Sequence, residues 1–295
     1  MSNYILSCSS TVDIPRSYLK EKNVPFVSFH YGINDKEYID DMGESMSYEE
    51  FYDLLKQKVD TRTSQVNADE YVKFFKPFLQ AGLDVIHLEL SSGISGSYNS
   101  ACIAKDFLQE KFPERKIIIV DSLAASSGFG LLLDSVIARR DEGATIEELQ
   151  AYVEEIKLNV HHWFFSTNLE YYFKGGRISK TSFVLGSLLN ICPVLNVSDV
   201  GKLTPRKKVH GKRAAIKEMI KQMIENAENG ADYNKKVYIC NSACYEDAKL
   251  VADLVKQNFP KMDGEVLINN IGTTIGSHTG VGTVALFFFG KKREN

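Results

Sequence analysis

An apolar run, Asp84-Val85-Ile86-His87-Leu88-Glu89-Leu90, passes directly into seven residues that are nearly all serine or glycine, Ser91 to Ser97. From Tyr98 the larger or apolar residues fall at Ala101, Cys102, Lys105, Leu108 and Phe112, close to the 3.6-residue period of one helix face. The order is strand, tight turn, helix. Gly93 and Gly96 let the backbone approach a ligand closely, and the helix start brings unpaired N–H groups and a partial positive charge to the same place. An anion suits such a place. The hydroxyls of Ser91, Ser92, Ser95 and Ser97 can donate to it without adding charge. Helix capping accounts for the same serines equally well, so the rest of the chain has to decide.

Strand and helix patterns alternate through about residue 160. Tyr4 to Ser9 reads as a strand ending in Ser9-Ser10-Thr11, with a helix starting at Asp13-Ile14-Pro15. Pro25 to Tyr31 alternates like a half-buried strand, and Gly32 to Ser47 reads as a polar loop. Helices follow from Tyr48 and after Asn67, and Pro77 should kink or shorten the second. Lys116 to Val120 is a strand, Ala124 to Arg140 a helix, and Ile146, Leu149, Val153, Ile156 and Val160 mark another helix. Uninterrupted Ile117-Ile118-Ile119-Val120 suits a strand covered on both faces, as in a parallel sheet. Three strands end in hydroxyl-rich turns, Ser9-Ser10-Thr11, Ser91-Ser92 and Asp121-Ser122, and at strand carboxyl ends these should line one crevice.

The second half changes character. His161 to Thr167 reads as a strand, Tyr171 to Ser179 as a turn, and Phe183 to Ile191 as an apolar segment with Gly186 and Ser187 embedded in it. Strands are expected at Pro193 to Val197 and Lys236 to Cys240, helices at Ile216 to Ala227 and Ala248 to Phe259. A Gly/Ser/Thr turn, Ile275 to Gly282, then precedes a last strand from Thr283 to Phe289. The expected fold class is α/β with two α/β domains, 1–160 and 161–295. The first is a doubly wound, mostly parallel sheet.

At 295 residues and 44% hydrophobic content the chain can bury large cores without metal or disulfide staples. A net charge of −3 argues against a nucleic-acid protein. The late cluster Lys202, Arg206, Lys207, Lys208, Lys212 and Arg213 leaves room for a local basic patch. Five cysteines fit reduced thiols, and the CxxxC pair Cys240/Cys244 has no second cluster to complete a zinc site. With neither a secretory pattern nor a membrane-length apolar run, a soluble cytoplasmic protein is expected.

Among residues that could carry chemistry, His278 is flanked by Gly276, Ser277, Thr279 and Gly280, which leave its ring room to reach a ligand. His161-His162 lacks a partner at metal-ligand spacing and reads as structural. The phosphate-loop and dinucleotide signatures are missing, Gly93-Ile94-Ser95-Gly96 falls one residue short of a hydrolase elbow, and no close pair of carboxylates stands in an apolar context. What remains is an anion pocket of neutral donors, Thr63, Ser95 and His278, suited to binding rather than catalysis. The alternative is a phosphoesterase or acyl hydrolase with Ser95 as nucleophile and His278 as base.

The motifs Ser9-Ser10-Thr11-Val12-Asp13-Ile14-Pro15, Thr63-Ser64-Gln65, Ser91 to Ala101, Gly176-Arg177-Ile178-Ser179 and Ile275 to Gly280 together resemble the DegV family over nearly the whole chain. The resemblance implies a two-domain α/β protein that encloses one long-chain fatty acid in a tunnel between its domains, with no cofactor. It also implies that Thr63 and Ser95 hold the carboxylate, with His278 beside it. Ser64, Gln65, Ser92, Gly96, Ser97, Ser277 and Thr279 fall near that pocket. Relatives in bacteria serve as fatty-acid-binding subunits of fatty acid kinase, so the implied partner is a separate ATP-binding subunit that makes acyl phosphate. A patch of Arg177, Arg206, Lys208 and Arg213 is the candidate docking surface. Ser97 and Val281 depart from the family's usual threonine and proline, and neither departure removes a donor.

Overall fold

The computed structural model describes residues 3–180 and 190–294. Strands β1 (Tyr4–Ser9), β2 (Phe26–Val27), β6 (Asp84–Glu89) and β7 (Ile117–Asp121) form a wholly parallel sheet in the order β2-β1-β6-β7. Alternate residues go to opposite faces. Val85 and Ile117 pack under helices α3 (Ala68–Gln80) and α4 (Ser97–Lys111), whereas Leu6, Ile86 and Val120 enter the main core on the other side. Apolar runs without a polar beat are therefore what this sheet requires.

Six strands build a second sheet in the order β10-β9-β8-β13-β11-β12. They are β8 (Val160–Ser166), β9 (Ile191–Val197), β10 (Leu203–His210), β11 (Tyr238–Asn241), β12 (Leu267–Asn270) and β13 (Thr283–Phe289). Only the β11–β12 pair is parallel. Helix α5 (Ser126–Asp141) is buried around its whole circumference from Ser126 to Asp134. It contacts β8, β11 and β13 on one side and the Ser10–Val12 turn after β1 on another, which explains its lack of a polar stripe. Among the described residues, no helix is long and apolar enough to cross a membrane.

A third, small antiparallel sheet, β4-β3-β5, comprises β3 (His30–Ile33), β4 (Lys36–Ile39) and β5 (Thr61–Ser64). Sequence reading assigned much of it to loops. The expected strand at Pro25 to Tyr31 is split between β2 and β3, and the expected loop from Gly32 holds the β3–β4 hairpin, turning at Asn34 with φ 53°. Its outer strands β4 and β5 are polar and partly exposed, and only the short β3 puts Tyr31 and Ile33 into the core, so no clean alternation marks the sheet.

Other differences have equally local causes. Helix α6 (Ile146–Ile156) stops before Val160, which opens β8, and the Tyr171 to Ser179 turn contains a short helix, α7 (Glu170–Lys174). The helix α3 runs through Pro77 to Gln80, because Pro77 sits on the exposed side where water can serve the freed carbonyl. Most of the apolar Phe183 to Ile191 segment lies outside the described residues. Among the described residues the remaining helices are α1 (Arg16–Glu21), α2 (Tyr48–Lys56), α8 (Lys212–Asn226), α9 (Tyr245–Asn258) and α10 (Thr273–Thr279). The last replaces the turn expected at His278.

Candidate functional site

A cavity of about 1000 Å³ is bounded by β5, the Ser/Gly turn after β6, α7, α10 and one face of the six-stranded sheet. Period-two geometry supplies that face: His162 and Phe164 of β8, then Thr283, Ala285 and Phe287 of β13, are the residues turned inward. Phe29, Leu90, Ile94 and Val197 continue the apolar wall.

Three sequence candidates meet on this cavity. Thr63 is one of the two inward residues of β5, and its Oγ1 lies 2.7 Å from His278 Nε2 on α10. Ser95 borders the same space, as do Ser64, Gln65, Ser277 and Thr279. A second link joins β5 to α10, with Thr61 Oγ1 2.8 Å from Ser277 Oγ. The start of α10 is anchored by a buried carboxylate: Asp40 Oδ2 accepts from Thr274 N–H at 3.4 Å and from its hydroxyl at 2.5 Å. Tyr52 donates to Ile271 O at 2.8 Å just ahead of it.

The His278 ring is neutral. Burial above all, helped by the nearby Arg177 guanidinium, holds its pKa down to about 3. Its Nδ1 is buried and has no hydrogen-bond partner. The ring fits only because α7 ends in glycine: a Cβ on Gly175 would stand 2.2 Å from Nδ1. Arg177 also lines the cavity and donates to Gly175 O, while burial lowers its own pKa.

The Ser/Gly turn works differently from the sequence expectation. The amino end of α4 faces the protein's own carboxylate, because Ser97 is fully buried and donates to Glu89 Oε1 at 2.9 Å. Ser91 donates to Gly201 O, and Ser92 is exposed with its N–H on Asp121, so Ser91, Ser92 and Ser97 all stand off the cavity wall. The glycines serve protein contacts: a Cβ on Gly93 would lie 2.5 Å from Val200 O, and one on Gly96 2.6 Å from Gln65 Oε1. Ser9, Ser10, Thr11 and Ser122 also close on neighbouring groups rather than lining the crevice. Beside Ser95 the cavity shares Ile94, Ser95, Arg177 and Leu203 with an outer recess of about 700 Å³, which Gly96 borders.

Two of the buried carboxylates, Asp13 and Asp40, stand close to the site's supporting elements. They are remote along the chain, yet burial raises both, and the charge of Asp40 adds to the rise at Asp13, which stands well above the usual range. At the cavity floor Ser126 donates to Asp13 Oδ2 and lies 3.2 Å from Cys240 Sγ. His162, on the wall, is a satisfied structural residue: Nδ1 pairs with Val160 O at 3.1 Å and Nε2 accepts from Ala125 N–H at 3.3 Å. Of the cationic candidates, Arg206 bonds Asn196 Oδ1 at 2.9 Å on β10, while Lys208 and Arg213 are exposed.

The family model described as "uncharacterised protein, DegV family" matches residues 8–291. A DegV domain-containing protein of Clostridium perfringens is 35% identical over 294 residues, covering 100% of both chains. The structure titled as fatty acid binding of a DegV family protein from Thermus thermophilus superposes with a TM-score of 0.85 at 25% identity, covering 97% of this chain and 99% of that one. The fatty acid kinase B3 protein of Streptococcus pneumoniae, loaded with linoleic acid, shares the fold with a TM-score of 0.83 at 20% identity, covering 98% and 99%. The chain belongs to the DegV family.

Proposed function

We propose that this protein binds one long-chain fatty acid in the cavity and presents its carboxylate to a separate ATP-binding kinase subunit for acyl phosphate formation. The observation that carries the reading is the Thr63–His278 pair at the edge of a largely apolar cavity. With Nε2–H of the neutral His278 donating to Thr63 Oγ1, the threonine proton is left free for a carboxylate oxygen. Ser95 supplies the second donor. Apolar burial gives the affinity, about 0.8 kcal/mol per methylene, and the hydroxyls fix which end points out. The fatty acid binding of the Thermus thermophilus relative supports this reading.

In this reading the outer recess beside Ser95 and Arg177 is where the head group meets the kinase. Exposed Lys208 and Arg213, with Arg206, add a basic docking face. Segment 1–160 contributes Thr63 and Ser95, and segment 161–295 contributes His278, so each proposed domain holds part of the head group. The hydrolase alternative is disfavoured by two features: His278 Nε2 pairs with Thr63 instead of Ser95, and a ring held near pKa 3 is a poor base. Denaturing the purified protein, extracting it and analysing the extract by mass spectrometry should give one acyl chain per protein. Well-folded protein that neither carries nor takes up a fatty acid would refute the proposal.

A further inference from the structure

Behind Ser95, reached through Ser97, lies Glu89, with no solvent exposure. Its Oε1 accepts from Leu90 N–H at 2.8 Å and from Ser97 Oγ at 2.9 Å. Its Oε2 accepts from Tyr71 O–H at 2.5 Å and lies 3.0 Å from His87 Nε2. The ring of His87 is held on its other side by Ser7 Oγ, 2.9 Å from Nδ1. On the cavity side, Ser95 donates to Ser97 Oγ at 3.1 Å and accepts from Ser97 N–H at 3.2 Å. The hydroxyl chain therefore runs one way, from the cavity wall inward. Ser97 has a single proton and gives it to Glu89, so towards Ser95 its oxygen can only accept.

A ligand carboxylate at Ser95 needs that proton turned outward. Turning it breaks the bond to Ser97 and leaves the buried Ser97 oxygen without that donor. We propose that Glu89, acting through Ser97 and Ser95, is the positioning residue that sets the selectivity of the head-group site. It draws the Ser95 proton inward and so limits how much more tightly a carboxylate is held than an uncharged head group. The inference rests on the fatty-acid reading above. A site tempered in this way keeps the acyl chain bound by its apolar wall while leaving the carboxylate loosely tied, which suits a cargo that is to be handed on.

The test compares the affinities of delipidated protein for oleic acid and for oleyl alcohol, and reads their ratio. Glu89→Gln should raise the acid-to-alcohol ratio about tenfold, since an amide holds the Ser97 proton, and through Ser97 the Ser95 proton, less strongly than the carboxyl group does at nearly constant shape. Ser97→Ala, which releases the Ser95 proton, should raise it by about threefold. In a Ser95→Ala background the effect of Glu89→Gln on the ratio should shrink to less than half, the signature of action through that hydroxyl. A ratio that stays level or falls in both single variants overturns the proposal, as does an undiminished Glu89→Gln effect in the absence of the Ser95 hydroxyl. If Glu89→Gln does not fold, the Ser97→Ala ratio decides. Wild-type protein that binds neither probe defeats the fatty-acid reading itself, whereas binding of both with an unmoved ratio defeats only the role of Glu89.

Discussion

Thr63 and Ser126 each place a hydroxyl on the wall of the same cavity, but their surroundings are opposite. Ser126 is buried, sits at φ 55°, donates to Asp13 and has Cys240 Sγ 3.2 Å away. Thr63 is half-buried on a regular strand, and its partner His278 has a second nitrogen with no bond at all. Polarity and position do not distinguish the two residues. Completeness of hydrogen bonding does: the Ser126 cluster is closed and holds the elements together, whereas the Thr63 cluster is left open towards the space it borders.

The largest effect expected from this contrast is on stability. Asp13→Ala removes the acceptor of the Ser126 hydroxyl inside the core and should cost about 3 kcal/mol in urea unfolding. Thr63→Val should cost less, about 1 kcal/mol, because it leaves one donor, His278 Nε2–H, unpaired outside any closed network. Equal losses in the two variants would break the comparison. Binding should respond in the reverse order. Thr63→Val is expected to weaken fatty acid binding roughly tenfold to a hundredfold, the worth of one hydrogen bond to a charged group, measured by displacement of a fluorescent fatty acid.

How much of this was visible in the chain follows from what each residue depends on. The parallel sheet was legible because runs such as Ile117 to Val120 state double-sided burial outright. Thr63, Ser95 and His278 were legible through their motifs, and the structure brings them onto one cavity. The roles within the Ser/Gly turn were not legible. Whether a serine faces a ligand or its own protein depends on Glu89, Gly201 and Asp121, partners fixed only by the tertiary fold. The Asp13 and Asp40 pair was hidden for the same reason, and the small sheet because two of its three strands are polar and short.

Gly175 offers a sharper probe of the open cluster than removal of a donor. Its φ of −72° suits any residue, so alanine there brings little backbone strain, yet the new Cβ would lie 2.2 Å from His278 Nδ1. The ring has to move away, and the Thr63–His278 bond moves with it. Gly175→Ala should weaken fatty acid binding about fivefold to tenfold and cost about 1–3 kcal/mol of stability, as overpacking does. Unaltered binding would mean that the imidazole does not orient Thr63.

The smallest effect is a pH dependence in which the two ends of the cavity pull in opposite directions. His278 titrates at about 3 when folded against 6.5 for the free side chain. As pH falls below 6.5 the unfolded chain takes up a proton that the native state refuses, so stability present above 6.5 is lost progressively towards 3. Between pH 7 and 6 that loss is about 0.7 kcal/mol for one such group, and His278→Gln should reduce the acid loss over this interval by that amount. Asp13 works the other way. Its folded pKa is raised, so its contribution to stability is present at low pH and lost as pH rises through the folded value. Asp13→Asn should therefore deepen the loss on acidification where His278→Gln makes it shallower. Parallel shifts in the two variants, read from urea midpoints at matched pH, would show that burial does not govern both groups.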